Sequence, residues 1–500
     1  MSSFYDKIQG CWIGKNLAGA IGMPYEGVPY TVNLKQDEIC LSDVPNDDLE
    51  LQLVWLDALK KHGLNLTCGK LAAYWQDIIK HGVDEYSIAL HNMKHGIMPP
   101  LSGRYNNFFA DGMGATIRSE IWALIFAGRP DAAAYFAQQD AEVDHWGDGV
   151  RGEIFMATAE SIACVTSDIE SSLRSALEQI DRSSRLYSVL AEVFRQYDNG
   201  TSDEDARNYL LLNLQRIPNF TDCVMNLAFV VHSLLRGHGD FVKTVLMAIS
   251  FGRDADCTAA SAGAFLGIAR GKEIFPPEWL EKMDEKLILS DFVSSVPGVP
   301  LTMTELVRQT AELHDELFKQ LPSEPYPPYV PCKLPEGIKN TVHSKWLVLN
   351  GTEHDIAAIK KELQTSGKCP ENLKSNIFEF NSFFMDLSRF AKNAELLHLF
   401  SFLTVDNNEV PQDEIVCSAT ADVGMRLWMD DRRLMNHHSR LKMLPSFHRA
   451  EGGAVFALPL QNGSRHLFHV ELFSCLPPLQ ACIMFGNLNN DHLDGFDFDI

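Results

Sequence analysis

Between Leu321 and Pro335 the chain carries Pro322, Pro325, Pro327, Pro328, Pro331 and Pro335. Each proline fixes φ and removes a backbone donor, so no helix runs through this stretch and the expected domain boundary lies here. The two sides also differ in hydrophobic period. From Phe4 to about Gln320 apolar residues recur at helical spacing, as in Leu51, Val54, Trp55, Ala58 and Leu59, or Val242, Val245, Leu246 and Ile249. Some of these stretches are rich in small residues, such as Gly14, Ala18 and Gly22, or Ala259, Ala260, Gly263, Ala264 and Gly267, which lets helix backbones approach closely. Beyond the prolines come short β-like runs: Trp346 to Leu349, Val416 to Thr420, Met425 to Met429, Ala454 to Leu458 and His466 to Phe473. In the last, Phe468, Val470 and Leu472 alternate with His469 and Glu471, the period of a half-buried strand. Asp430 and Asp431 stand where a turn leads to a further strand near Arg433 to Met435, and Asp355 to Thr365 reads as a helix. The expected organisation is multidomain: an all-α domain over 1–320, a Pro-rich linker over 321–340 and a mainly β, sandwich-like accessory domain over 341–500.

Composition narrows the class of function. With 500 residues, 46% of them apolar, the chain can bury the cores of two or three domains. A formal net charge of -23 disfavours nucleic acid and anionic membrane surfaces as partners and suits cations. The 11 cysteines form no CxxC pair, so neither a disulfide framework nor a thiolate zinc site is expected, which fits a reducing cytoplasm. Met1 to Gly10 lacks the basic flank and apolar stretch of a signal peptide, and no uncharged run reaches the roughly 20 residues of a membrane span. The expected protein is soluble and cytoplasmic.

Chemistry concentrates in two acidic segments. Pro45-Asn46-Asp47-Asp48-Leu49-Glu50 stands just before an amphipathic helix from Leu51 to Lys60, and Gly252-Arg253-Asp254-Ala255-Asp256-Cys257 leads into a small-residue helix from Thr258 to Ala269. Taken singly, each is an ordinary helix cap, because Asn and Asp accept from free N–H groups and the dipole favours negative charge there. Taken together, side-by-side helices would bring the acids to one point, where they repel unless something neutralises them. Mg²⁺ or Mn²⁺ suits such oxygen donors better than zinc does. Two such ions would lower the pKa of a bridging water and orient sugar hydroxyls, although spacing alone does not establish them.

These two segments resemble the paired metal motifs of the ADP-ribosylglycohydrolase family. Gly10 to Glu26 is similar to the family's opening helix, Asp111 to Arg118 (DGMGATIR) to its substrate loop, and His145 to Gly152 (HWGDGVRG) to its histidine-glycine segment, in matching order through residues 8 to 271. The resemblance implies an all-α orthogonal helical bundle, two Mg²⁺ or Mn²⁺ ions in a cleft, and hydrolysis of a ribosyl glycosidic bond in ADP-ribosylated substrates. It does not cover the tail. Asn46 stands where better-known members have threonine, as does Leu49 after the first acid pair. Cys257 replaces the threonine after the second, and a neutral thiol is a poor ligand for a hard ion.

The resemblance implies Asn46, Asp47, Asp48, Asp254, Asp256 and Cys257 at the metal positions, with Glu26, Asp47 and Asp48 catalytic. Glu26 would gate the cleft or position the attacking water; otherwise it is a surface residue after a turn. Gly112, Met113 and Gly114 would offer N–H groups to a diphosphate at the start of a helix from Ala115 to Phe126, unless the loop is an ordinary glycine cap. Arg118 would meet a phosphate or a carboxylate. His145 would bond the substrate or hold the loop at Asp148 and Gly149. Asn107 and Asn226 are polar candidates with a structural alternative, and Trp428, His437 and His438 a possible sugar-stacking patch against a core role. The expected partner is a small-molecule or protein-linked ADP-ribose. Two other readings stay open: hydrolysis of another glycoside or nucleoside on the same bundle, and a non-catalytic carbohydrate- or protein-binding module.

Overall fold

The computed structural model describes residues 3–41, 45–79, 82–214, 219–283, 285–290, 293, 296–332, 342–392, 394–438, 443–449 and 453–500, the side chain of Asp47 excepted. The chain divides into two compact units, one of Met1–Lys80 with Ile97–Lys333, the other of His81–Gly96 with Leu334–Ile500. Leu321–Cys332, the described part of the proline stretch, forms neither helix nor strand; the rest of the expected linker up to residue 340 lies outside the described residues.

The first unit is helical. Its elements include α1 (Phe4–Gly22), α2 (Asp47–His62) and α3 (Cys68–Ile78), with α4 (Asp84–Lys94) following in sequence but belonging to the second unit. Then come α5 (Ser119–Ile125), α6 (Pro130–Ala141), α7 (Asp148–Thr166), α8 (Ile169–Leu177), α9 (Arg185–Asp198), α10 (Asp203–Leu214), α11 (Cys223–Gly237), α12 (Phe241–Ile249), α13 (Ala255–Arg270), α14 (Pro277–Leu280) and α15 (Met303–Phe318). The N-terminus of α1 is set by a reciprocal cap, Ser3 Oγ accepting from the Asp6 N–H while the Asp6 carboxylate accepts from the Ser3 N–H. Every residue of α13 from Ala255 to Ala269 is buried, so its apolar and small side chains need no polar face. It lies against α1 with backbone touching backbone. A Cβ on Gly14 would stand 2.2 Å from the Gly263 carbonyl oxygen, one on Gly267 2.0 Å from that of Gly10, and one on Gly22 2.6 Å from Asp256 Cα. Glycine at these crossings thus fixes the start of α13 beside the end of α1. Among the described residues no helix is long and apolar enough to cross a membrane.

The second unit is a β-sandwich. Strands β1 (Ser344–Asn350), β2 (Ile377–Phe380), β4 (Leu396–Val405), β6 (Gly424–Met429), β7 (Arg432–His437), β9 (Arg465–Phe473) and β11 (Phe496–Asp499) form one sheet, ordered β2-β1-β11-β4-β9-β6-β7. The other sheet is β3 (Phe384–Asp386), β10 (Gln480–Gly486), β5 (Val416–Ala421) and β8 (Gly453–Ala457), in that order. Trp346, Leu399, Phe468, Val470 and Leu472 meet Cys417, Ala419, Ala481 and Ile483 in the core. The outer face of the larger sheet is also covered in part: α16 (Ile356–Ser366), capped by Asp355, buries Leu363 against Leu349, Phe400 and Leu467. The expected half-buried strand at β9 is therefore buried on both sides at Leu467 and His469. Of the aromatic patch considered from sequence, Trp428 stacks on His469 at 4.8 Å and His438 meets Phe473 at 4.7 Å with the rings tilted by 60°.

His469 bonds His398 through Nε2 and Nδ1, 2.8 Å apart, and lies flat on Phe400. Burial, together with His398 and Lys360, pushes its pKa down to about 3. The folded form therefore binds fewer protons than the unfolded one, and stability held fully above the unfolded value of about 6.5 is lost as pH falls toward 3. By pH 5 this costs about 2 kcal/mol. Amide exchange in β4 and β9, corrected for intrinsic rate, should report that loss between pH 7 and pH 5, and His469→Phe should flatten the slope; a slope equal in both proteins would refute this account.

Candidate active site

The two acidic segments occupy equivalent places at two helix starts. Asn46 and Asp254 are the N-cap residues of α2 and α13, and the helices begin at Asp47 and Ala255, one turn earlier than the apolar periodicity predicted. Neither Asn46 nor Asp254 places its side-chain oxygen on its own helix, so simple capping does not account for them. Asp48, Asp254 and Asp256 are 1%, 2% and 4% exposed. One carboxylate oxygen each from Asp254 and Asp256 and the Cys257 sulfur all lie within 4.8 Å of one another.

The segments converge through α1. The Asn46 amide nitrogen lies 2.7 Å, and the Ala260 Cβ 3.4 Å, from the point where a Cβ on Gly19 would stand, so the start of α2 and the first turns of α13 share that glycine. Lys15, fully buried on α1, lies in the field of both Asp48 and Cys257 and pairs with Glu120 at 2.9 Å. Burial alone would discharge it, but Glu120 and Asp48 hold its pKa above the usual lysine value. The side chain of Asp47 lies outside the described residues.

Glu26 is exposed and follows a single 3-10 turn, Met23–Tyr25, at the end of α1. Its loop is tied to the second acidic segment, because Gly27 N–H donates to the Arg253 carbonyl at 2.7 Å and Arg253 N–H to that of Val28 at 2.8 Å. Gly252 and Arg253 both have positive φ, 65° and 64°, and a side chain at Gly252 would strike the Tyr30 carbonyl. This tight turn presents Asp254 beside the Glu26 loop.

The remaining predicted residues form a second group around the loop from Asn107 to Arg118. Arg118 is fully buried and does not face a ligand: its guanidinium bonds both Asp144 oxygens, at 2.9 and 3.1 Å, and Asp140 at 3.0 Å. Burial raises the Asp144 pKa, but Arg118 and His145 outweigh it and hold the group below the usual range. The buried His145 accepts from the Ala115 N–H at 3.3 Å and places its other ring nitrogen 3.0 Å from Asp144, so it braces the loop. Gly112, Met113 and Gly114 are buried, and the Gly112 N–H goes to the Phe109 carbonyl at 2.7 Å. Of the expected row of N–H donors, that of Gly112 thus turns back into its own loop, and the N–H that follows the row, of Ala115, goes to His145. Asn107 donates to the Gly103 and Asp144 carbonyls, and Asn226 to those of Phe220 and Asp222, both structural bonds. Asp148 pairs with Arg151 at 3.2 Å and gives its N–H to Asp111, while a Cβ on Gly149 would stand 2.3 Å from the Ala110 carbonyl.

Sequence reasoning passed over the residues that join the two groups. Gln52 donates to Glu120 at 2.8 Å and to the Ile117 carbonyl at 3.2 Å, and accepts from the Ile121 N–H, tying α2 to the loop and α5. The available signal was a charge inside an otherwise apolar helix: Lys15 among Ile13, Gly14, Leu17 and Ala18, and Glu120 before Ile121 and Trp122. Asp111, which opens that loop, was not singled out either; crowding by surrounding atoms, reinforced by Asp148 and Asp222, raises its pKa although its side chain reaches solvent.

Residues 1–317 match the family model described as ADP-ribosylglycohydrolase. An uncharacterized protein of Archaeoglobus fulgidus is 26% identical over 318 residues, 60% of this chain and 99% of the relative. A solved structure described as an ADP-ribosylglycohydrolase-related protein complex aligns with 63% of this chain and 99% of its own, at 16% identity and a TM-score of 0.46.

Proposed function

Because the chain belongs to the ADP-ribosylglycohydrolase family, we propose that it is a metal-dependent hydrolase of a ribosyl glycosidic bond in an ADP-ribosylated or ADP-ribose-like substrate. The observation that supports this most directly is that Asn46 and Asp254 hold N-cap positions without capping, beside the buried Asp48 and Asp256. Buried carboxylates set together favour a cation, and their hard oxygens suit Mg²⁺ or Mn²⁺. Asn46, Asp47, Asp48, Asp254 and Asp256 would hold two such ions, with the Cys257 thiol at the margin of the donor set. Such ions supply an acidified water and a template for ribose hydroxyls.

The chain's own residues supply the rest. Lys15, held charged by Glu120 and Asp48, offsets part of the negative charge. Glu26, whose loop is hydrogen-bonded to the Arg253 backbone, would position water or take its proton. The loop from Asn107 to Arg118, rigidly braced through Asp144 and His145, shapes the substrate side without offering a cationic side chain there. The expected result from a panel of ADP-ribosylated protein, ADP-ribosyl small molecules, nucleosides and simple glycosides is release of ADP-ribose that requires Mg²⁺ or Mn²⁺. Cleavage confined to simple glycosides, or undiminished by chelator, would reject this reading.

A further inference from the structure

The β-sandwich unit contains a second group of metal-type donors with a different chemistry. His91, in the last turn of α4, and His95, its C-cap residue, stand four positions apart and turn to the same side. Asp494 comes from the segment between β10 and β11. His91 Nε2 and His95 Nε2 stand 3.0 and 3.2 Å from the same oxygen, Asp494 Oδ1. His95 Nδ1 lies 2.8 Å from the His91 carbonyl oxygen, which can only accept, so Nδ1 carries the proton. In the neutral ring, Nε2 then turns a lone pair toward a carboxylate lone pair, an arrangement that repels unless positive charge lies between them. A backbone carbonyl on the far nitrogen is also how metal-binding histidines are commonly oriented. Bonds of about 2.0–2.1 Å to a tetrahedral ion place its ligands roughly 3.3 Å apart; both nitrogen–oxygen spacings here are close to that, and all three residues offer a ligand atom within 4.8 Å of the others.

The surroundings fit a bound ion. His91 is walled by the rings of Phe383 at 5.9 Å and His492 at 5.6 Å, while His95 and Asp494 remain partly exposed, leaving a side for a fourth ligand. Lys94 reaches the other Asp494 oxygen at 3.3 Å and also pairs with Glu409, which aims Oδ1 at the imidazoles. A cavity lined by His91, Trp346, Phe383, Phe485, Asp494 and Phe496 opens beside the group.

We propose that His91, His95 and Asp494 bind one divalent cation of the Zn²⁺ type. Imidazole with carboxylate selects zinc and its neighbours, whereas all-oxygen sites select Mg²⁺, so this site differs in metal from the one formed by the aspartates and stands independently of the hydrolase reading. The test uses the full chain, stripped with chelator, held in saturating Mg²⁺ and titrated with Co²⁺. Visible d–d absorption should saturate and be displaced by Zn²⁺. His95→Gln, at a partly exposed position, and Asp494→Asn should weaken Co²⁺ and Zn²⁺ binding by at least ~100-fold, whereas Asp256→Asn should keep the bands. Zn²⁺ should also raise the melting temperature of the unaltered protein but not of His95→Gln. Absent bands, bands equally strong in His95→Gln, or bands lost in Asp256→Asn would each overturn the proposal, leaving a histidinium–carboxylate pair in the first case.

Discussion

Asp256→Asn is expected to lower kcat on the order of 10³-fold, about 4 kcal/mol of activation free energy, without lowering the melting temperature of the metal-free protein. The two halves of that result separate a ligand from a structural acid. Asp256 lies in the first turn of α13, 4% exposed, within 4.8 Å of donor atoms of Asp254 and Cys257. If its role is to hold a cation, neutralising it removes like-charge repulsion from the empty site and the metal-free fold is unchanged or firmer. If it serves the helix dipole, the metal-free fold weakens and turnover survives. Calorimetry with and without Mg²⁺ reads the difference, since only the unaltered protein should gain stability from the ion. Normal turnover with a lowered melting temperature would end the metal reading of this residue.

Gly267→Ala, which among the described glycines brings a methyl group nearest to a backbone atom, should cost on the order of 4 kcal/mol or prevent folding. The added Cβ would lie 2.0 Å from the Gly10 oxygen and 2.2 Å from its carbonyl carbon. Both are backbone atoms, so no rotamer change gives way and α1 must part from α13. The separation also shifts Asp254 and Asp256 relative to Asn46, which touches α1 at Gly19. Gly69→Ala is the matched control, because on α3 its nearest neighbour would be Thr67 Oγ1 at 4.0 Å. That change should stabilise by up to about 1 kcal/mol through helix propensity. Denaturant unfolding of both variants checks the contrast, and equal midpoints would show that the helices slide apart without cost.

Much of the architecture was legible because periodicity is local. The helix after Asp355, the hairpin turning at Asp430 and the change from helical to β pattern across the prolines are set by residues within a few positions of one another. The family resemblance through residues 8 to 271 likewise drew on short contiguous motifs, and the family model covers that span. What escaped depends on long-range partners. Arg118 is aimed by Asp140 and Asp144, 22 and 26 positions away, and nothing in DGMGATIR shows that these acids face inward. The Gly112 N–H is a local exception: its acceptor is the nearby Phe109 carbonyl, but a turn of that kind leaves no mark in the hydrophobic pattern. Cys257 remains the residue with the largest chemical meaning: the fold brings its sulfur within 4.8 Å of an oxygen of each carboxylate, where a thiol is a poor partner for a hard ion.

The membership of α4 in the sandwich has a consequence during synthesis. His91 precedes Asp494 by 403 positions, an interval of about 20–80 s at ~5–20 residues per second on the ribosome. Throughout that time the helix has emerged while the segment that carries Asp494 does not yet exist. The contacts of α4 within the β-unit are therefore completed only at the end of synthesis, and a protein severed at the proline stretch would deprive one fragment of a wall and burden the other with an orphan helix.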